Sequence, residues 1–163
     1  MAVLPILHWP DARLCTPCAA VGPVADLAVL AANMLDTMYA ARGRGLAAPQ
    51  VGVLLRMFVM DVTWKEGAAS PLVCLNPLIV AMSAQRITGP EGCLSIPGIT
   101  TLVDRATEIT MGWTGLDGAQ HQKVLTGFSA ICAQHEIDHL DGLVTFDRLP
   151  PAARAAALAE YVA

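Results

Sequence analysis

The sequence predicts an α+β fold: mostly antiparallel strands packed around a central helix, with an N-terminal amphipathic helix and a short C-terminal helix. Three observations predict it. Apolar residues recur with helical spacing near the start, at Leu27, Leu30, Ala31, Met34, Leu35 and Met38. β-rich runs follow, two of them joined by the turn signal Leu116-Asp117-Gly118. A second helical stretch, FSAICAQHEIDHL, comes only after those strands.

Residues 1–24 carry Pro5, Pro10, Pro17 and Pro23 and are expected to form an extended arm with turns. Residues 25–42 form the amphipathic helix, which Gly43 is expected to stop. GRGLAAPQVG, 43–52, holds three glycines and a proline, so it is expected to be a shaped loop and not regular structure throughout. RMFVMDV, 56–62, and PLVCLNPLIVA, 71–81, are β-rich. TEITMGWTG, 107–115, alternates, and HQKVLTG, 121–127, returns from the turn. The helix over 128–140 is ended by Asp141-Gly142. LVTFD is expected to be a short strand, and an Ala-rich helix begins at Pro151. No repeat, low-complexity linker or boundary interrupts the chain, so residues 1–163 are expected to form a single domain.

Composition narrows the function classes. With 55% hydrophobic and 15% charged residues, the chain is globular and not disordered. A net charge of -4, with Lys and Arg scattered, argues against a nucleic-acid binder. The start, MAVLPILHWPDARL, lacks the pattern of a secretory signal. LAVLAANML, the most apolar segment, is too short to span a membrane. A cytoplasmic location with reduced thiols is the expectation for the five cysteines, Cys15, Cys18, Cys74, Cys93 and Cys132. Cys15-Thr16-Pro17-Cys18 has no second pair and no thioredoxin-like context, so it is taken as chance spacing.

The chemistry lies in HEIDH, 135–139. Phe128, Ile131, Cys132, His135 and His139 continue one helical stripe, expected to face the interior. Residues four apart lie about 40° from one another on a helix, so both imidazoles can reach one metal ion. Such a site needs a third ligand, and its identity separates the classes. A metzincin would place a histidine where Thr145 stands. A thermolysin-like enzyme would place a downstream glutamate, and only Glu160, near the C-terminus, is available. Upstream, EGCLSIPG, 91–98, offers Cys93 in a Gly- and Pro-bracketed loop-to-strand context. Cys93, His135 and His139 would make a Cys-His₂ site with an open fourth position, the arrangement of a catalytic metal. Cys132, one turn from His135, is the competing thiol. Thiolate and two imidazoles suit iron(II), zinc, cobalt or nickel.

The chain resembles the peptide deformylase family. Gly43-Arg44-Gly45-Leu46-Ala47-Ala48-Pro49-Gln50 is similar to its first motif, Glu91-Gly92-Cys93-Leu94-Ser95 to its second, and Gln134-His135-Glu136-Ile137-Asp138-His139 to its third, in that order. The likeness runs nearly end to end. It implies a metal-dependent hydrolase that removes the N-terminal formyl group from formyl-methionyl nascent peptides, with a single iron(II) or zinc ion as cofactor, by attack of metal-bound water. Glu136 would move the proton, and the Gln50 amide and the Leu94 backbone N–H would stabilise the oxyanion. Arg44, Gly45 and Glu91 would contact the substrate, Gly45 through its main chain. Asp138 and Ser95 would either orient ligands or simply cap or hydrogen-bond locally, and Glu91 and Arg105 could pair across the site entrance, though spacing alone does not show it.

Some positions depart from the family pattern. Arg44 stands where an apolar residue usually lines the methionine pocket, Thr100 where some members carry arginine, and Asp104 where proline is common. The C-terminal segment has Arg154 as its one basic residue, which argues against docking on the ribosome. Two alternatives follow: a divergent paralogue with an altered or weak formyl-amide range, and a zincin-type peptidase.

Overall fold

The structure, a computed structural model, describes residues 2–22 and 26–162. Pro23 of the expected arm and Ala25 at the start of the expected helix lie outside the described residues. The arm is largely irregular, with one 3-10 turn over Ala12–Cys15 capped by the Asp11 side chain. Helix α1 spans Ala28–Ala40. Its stop differs from expectation. Arg42, at φ 57, takes the left-handed position expected of glycine, and Gly43 N–H closes the motif on the Met38 carbonyl at 2.8 Å.

GRGLAAPQVG is more regular than expected. It contains strand β1, Gly45–Ala47, and a 3-10 turn, Ala48–Val51, ended by Gly52 at φ 84. Strands β2, Met57–Met60, and β3, Leu72–Met82, match the two β-rich runs. Next come two strands the sequence reading left unassigned, β4, Arg86–Cys93, and β5, Ile96–Ala106. Strands β6, Glu108–Thr114, and β7, Gln120–Thr126, form the expected hairpin. Helix α2, Gly127–Leu140, and helix α3, Pro151–Val162, follow. LVTFD is not a strand: Thr145–Arg148 is a 3-10 turn, because the Asp147 carboxylate turns back to accept the Val144 N–H at 2.9 Å.

All named strand pairs are antiparallel. Five strands form one sheet in the order β1-β2-β3-β6-β7, and β4 pairs with β5 in a second. Strand β2 is buried on both faces. Phe58 and Met60 join Ala133, Ile137 and Leu140 of α2 in one cluster, whereas Met57 and Val59 join Met34 and Met38 of α1 in another. The period of two along a strand makes this division, and α2 is thereby held on one face of the sheet and α1 on the other. A third cluster, Leu14, Ile96, Phe146 and Ala157, ties β5 and α3 to the arm. The C-terminal end of α2 is fixed from β2's side: Arg56 donates to the Leu140 carbonyl at 3.2 Å and to Asp141 at 2.8 Å, a cation at the negative pole of the helix.

Candidate metal centre

Helix α2 and the end of β4 converge at one end of a cavity of about 750 Å³. One helical turn on α2 separates His135 from His139, and their Nε2 atoms lie 3.2 Å apart. Cys93, the last residue of β4, places Sγ 3.4 Å from His139 Nε2. A tetrahedral ion with metal–sulfur about 2.3 Å and metal–nitrogen about 2.0–2.1 Å would set such edges at roughly 3.6 and 3.3 Å, so the spacing fits a metal. So does the chemistry of the donors. His135 Nδ1 lies 2.9 Å from Glu91 Oε1 and donates to that carboxylate, which leaves the Nε2 lone pair aimed at the other two donors. Burial holds His139 well below the usual histidine range, so its ring is neutral. Two ring nitrogens and a sulfur converge here, and a cation satisfies all three at once.

Behind the histidines lies a buried charge network. Arg105 is 3% exposed and forks onto Glu91 at 2.9 Å through both Nε and Nη2, while its Nη1 meets Asp138 at 2.6 Å. Asp138 also accepts two bonds from Arg148. Burial works to raise the Glu91 pKa, but Arg105 and His135 hold it down to about 2. The carboxylate is therefore ionised, and each of its oxygens is engaged. This corrects one expectation: the pair with Arg105 lies inside the molecule, not across the entrance. Both Glu91 oxygens are already engaged, by Arg105 and His135, while the residue also lines the cavity.

Glu136 follows His135 on α2 but faces the cavity. It is 4% exposed, Oε2 has no hydrogen-bond partner, and burial pushes its pKa up to about 7. Gly45 in β1 makes room for it: a Cβ there would collide with Glu136 Oε1 and come within 2.9 Å of Cys132 Sγ. Gln50 is 1% exposed and fixed in orientation. Its Oε1 accepts from the Ala47 N–H at 2.9 Å, so Nε2 must be the atom that meets Ser95 Oγ at 3.0 Å and faces Cys93 Sγ at 3.8 Å. Leu94 sits in the turn between β4 and β5 and lines the same cavity.

The structure thus brings together Cys93, His135, His139, Glu136, Gln50, Leu94 and Gly45. Cys132 is set apart from the other thiol: its Sγ lies 3.6 Å from the Arg44 carbonyl, and burial raises its pKa well above the ordinary thiol range. Phe128, expected inside, is 49% exposed and lines the cavity with Ile131, Cys132 and His135, whereas His139 at the far end of the stripe is buried. Sequence reasoning missed Arg148 as a partner of Asp138, since no spacing links them. The depth of Arg105 did have a signal. Ile99, Thr101, Val103 and Arg105 alternate with exposed residues along β5 and are all buried.

A family model described as Polypeptide deformylase matches residues 3–155. The chain belongs to the polypeptide deformylase family. It is 48% identical over 150 residues to a peptide deformylase of Alkalilimnicola ehrlichii, covering 91% of this chain and 83% of that one. The fold is similar to the crystal structure of a peptide deformylase from Legionella pneumophila, with TM-score 0.91 and 38% identity over 99% of this chain and 94% of that chain. A peptide deformylase from Synechococcus elongatus, solved in complex with actinonin, gives TM-score 0.91 and 35% identity over 96% and 86% of the two chains. The chain is accordingly a formyl-removing hydrolase that acts on formylated peptides. Peptide deformylases depend on a metal, and Cys93, His135 and His139 form a possible site for one. Neither the zincin-type peptidase nor the divergent paralogue is favoured by these likenesses. No helix among the described residues is long and apolar enough to cross a membrane.

Proposed function

We propose that Cys93, His135 and His139 hold a single catalytic ion, iron(II) or zinc, and that Glu136, Gln50 and Leu94 carry the removal of the formyl group from formyl-methionyl nascent peptides. The unpartnered Oε2 of Glu136, facing the same cavity as the three converging donors, carries this reading. When bound, the metal supplies Lewis acidity, lowering the pKa of a water toward ~7.

The chain's own residues supply the rest. Glu136 Oε2 accepts a proton from the attacking water and delivers it to the departing amine nitrogen. A carboxyl raised to about 7 suits both transfers. The Gln50 Nε2 hydrogen that faces Cys93 is the one available to the carbonyl oxygen as charge develops, and the Leu94 backbone N–H is its partner donor. Ser95 and Ala47 keep the Gln50 amide from rotating, so no reorientation is needed during reaction. Strand β1 is an edge of its sheet, and Gly45 leaves that edge open for peptide main chain to pair with it. Arg44 also lines the cavity, but its head is drawn to Glu66 at 2.6 Å and over the Phe128 ring at 5.1 Å. Only its stem is then left to meet a methionine side chain.

In this reading residues 1–163 act as one domain, the protein works in the cytoplasm, and nucleic acid is not a partner. Helix α3 has Arg154 alone to offer the ribosome, which argues against docking there. The test is product analysis of formyl-Met-Ala-Ser incubated with metal-loaded enzyme. Stoichiometric formate with an intact peptide is expected. Internal cleavage with the formyl group retained would contradict the assignment.

A further inference from the structure

The chain has more carboxylates than cations, 14 Asp and Glu against 10 Lys and Arg. The cavity wall leading away from Glu136 has the opposite balance. Arg42, Arg44 and Lys65 all line it. The lining carboxylates, Glu91 and Glu136, are buried at its floor, and Glu91 is engaged by Arg105 and His135. Residues 97–100, which also line the cavity, carry no charge.

The three cations differ in what occupies them. Arg44 is partly neutralised by Glu66, yet its Nε is buried with no acceptor. Arg42 and Lys65 are exposed and have no ion pair among the described residues, and Lys65 Nζ rests 5.6 Å from the centre of the Trp64 ring. Arg42 also occupies a left-handed backbone position, φ 57, where glycine would be the least costly residue. Two cations with no ion pair among the described residues, and a third with one buried donor unused, therefore line the substrate cavity on the segments 42–44 and 65.

Arg42 and Arg44 lie within the three residues that precede Gly45, outside strand β1, and a chain segment of that length spans at most about 10 Å, within reach of roughly three residues of a peptide whose formyl end lies at Glu136. We propose that this rim selects formyl-peptides carrying an acidic side chain at the second or third position after the formylated methionine. The proposal rests on the site reading above and names the substrate class of that site. Arg42 and Lys65 would meet the incoming carboxylate directly, and Arg44 would add to it in proportion to how far Glu66 releases it.

The experiment compares kcat/KM of the metal-loaded enzyme for formyl-Met-Ala-Glu, formyl-Met-Ala-Lys and formyl-Met-Ala-Ser, each capped as an amide so that no terminal carboxylate competes. The Glu peptide should be favoured over the Lys peptide by roughly tenfold at low ionic strength, falling to about twofold near ~0.5 M salt, as befits exposed charges. The ratio should collapse toward one in an Arg42→Gln, Lys65→Gln double variant. It should rise in Glu66→Gln, which frees Arg44. Equal turnover of all three peptides at low salt, or a ratio that persists in the double variant, would overturn the rim and leave the catalytic assignment standing. No turnover of the serine peptide by metal-loaded enzyme would overturn the site reading beneath it.

Discussion

Replacing Glu136 by glutamine is expected to lower kcat/KM for formyl-Met-Ala-Ser by roughly 10²–10⁴-fold. Glutamine keeps the shape of the side chain and the fit against Gly45, but it cannot accept a proton. The loss should fall on kcat, because Glu136 is not a ligand and the three donors are left in place. Metal content should therefore match the wild type. Stability should hold or rise, since an ionisable group that is 4% exposed with one oxygen unpartnered gives way to a neutral amide. Activity lost together with the metal would mean that Glu136 supports the site and does not act in the chemistry. Activity within about tenfold of wild type would remove it from the mechanism.

The second large effect is on stability. Arg105→Met should destabilise the fold by about 3–5 kcal/mol, the usual result of taking one partner from a buried ion pair. Glu91 and Asp138 have side chains 7% and 8% exposed and would each lose a cation at hydrogen-bond distance. Asp138 would keep Arg148 and Glu91 would keep His135, which limits the damage. For a chain of this length the fall in Tm should be roughly 6–20 °C. In urea the midpoint should drop with little change in slope. Metal affinity should weaken as well, by roughly 10–100-fold, because Glu91, still bonded to His135 but no longer fixed by Arg105, would hold that ring less rigidly. A Tm within about 2 °C of wild type would show that the network contributes little.

Those two residues illustrate what the sequence could and could not reveal. His135, Glu136 and His139 were legible because helical period alone places them together, and the structure keeps them on one continuous helix. Cys93 was legible as a thiol in a shaped segment, but its setting was not: β4 and β5 were overlooked. Gly89, Pro90 and Gly92 in one strand, and Pro97 and Gly98 in the other, hide a hairpin that is held by pairing from Arg86↔Ala106 to Cys93↔Ile96. The Glu91–Arg105 pair was raised as a possibility, but its depth was not read, because the alternation that buries Ile99, Thr101, Val103 and Arg105 has meaning only once β5 is assigned as a strand. Local sequence also misled at LVTFD, where β-rich residues suggested a strand and the Asp147 carboxylate made a turn instead. At Arg42 the αL position was expected of Gly43, one residue later. The cationic rim was invisible for a different reason. Arg42, Arg44 and Lys65 come from two segments, and only the packing of the Trp64–Glu66 turn beside the end of α1 joins them, through the Trp64 Nε1 bond to the Gly43 carbonyl at 2.9 Å.

The central claim is that Cys93 joins the two histidines around one ion while the neighbouring thiol, Cys132, does not. Metal content of protein purified without oxygen, measured side by side for wild type, Cys93→Ala and Cys132→Ala, tests it most directly. Wild type and Cys132→Ala should each carry a single iron or zinc ion per chain, and Cys93→Ala should carry almost none after dialysis. A Cys93→Ala protein that keeps its ion, or a Cys132→Ala protein that loses it, would contradict the account.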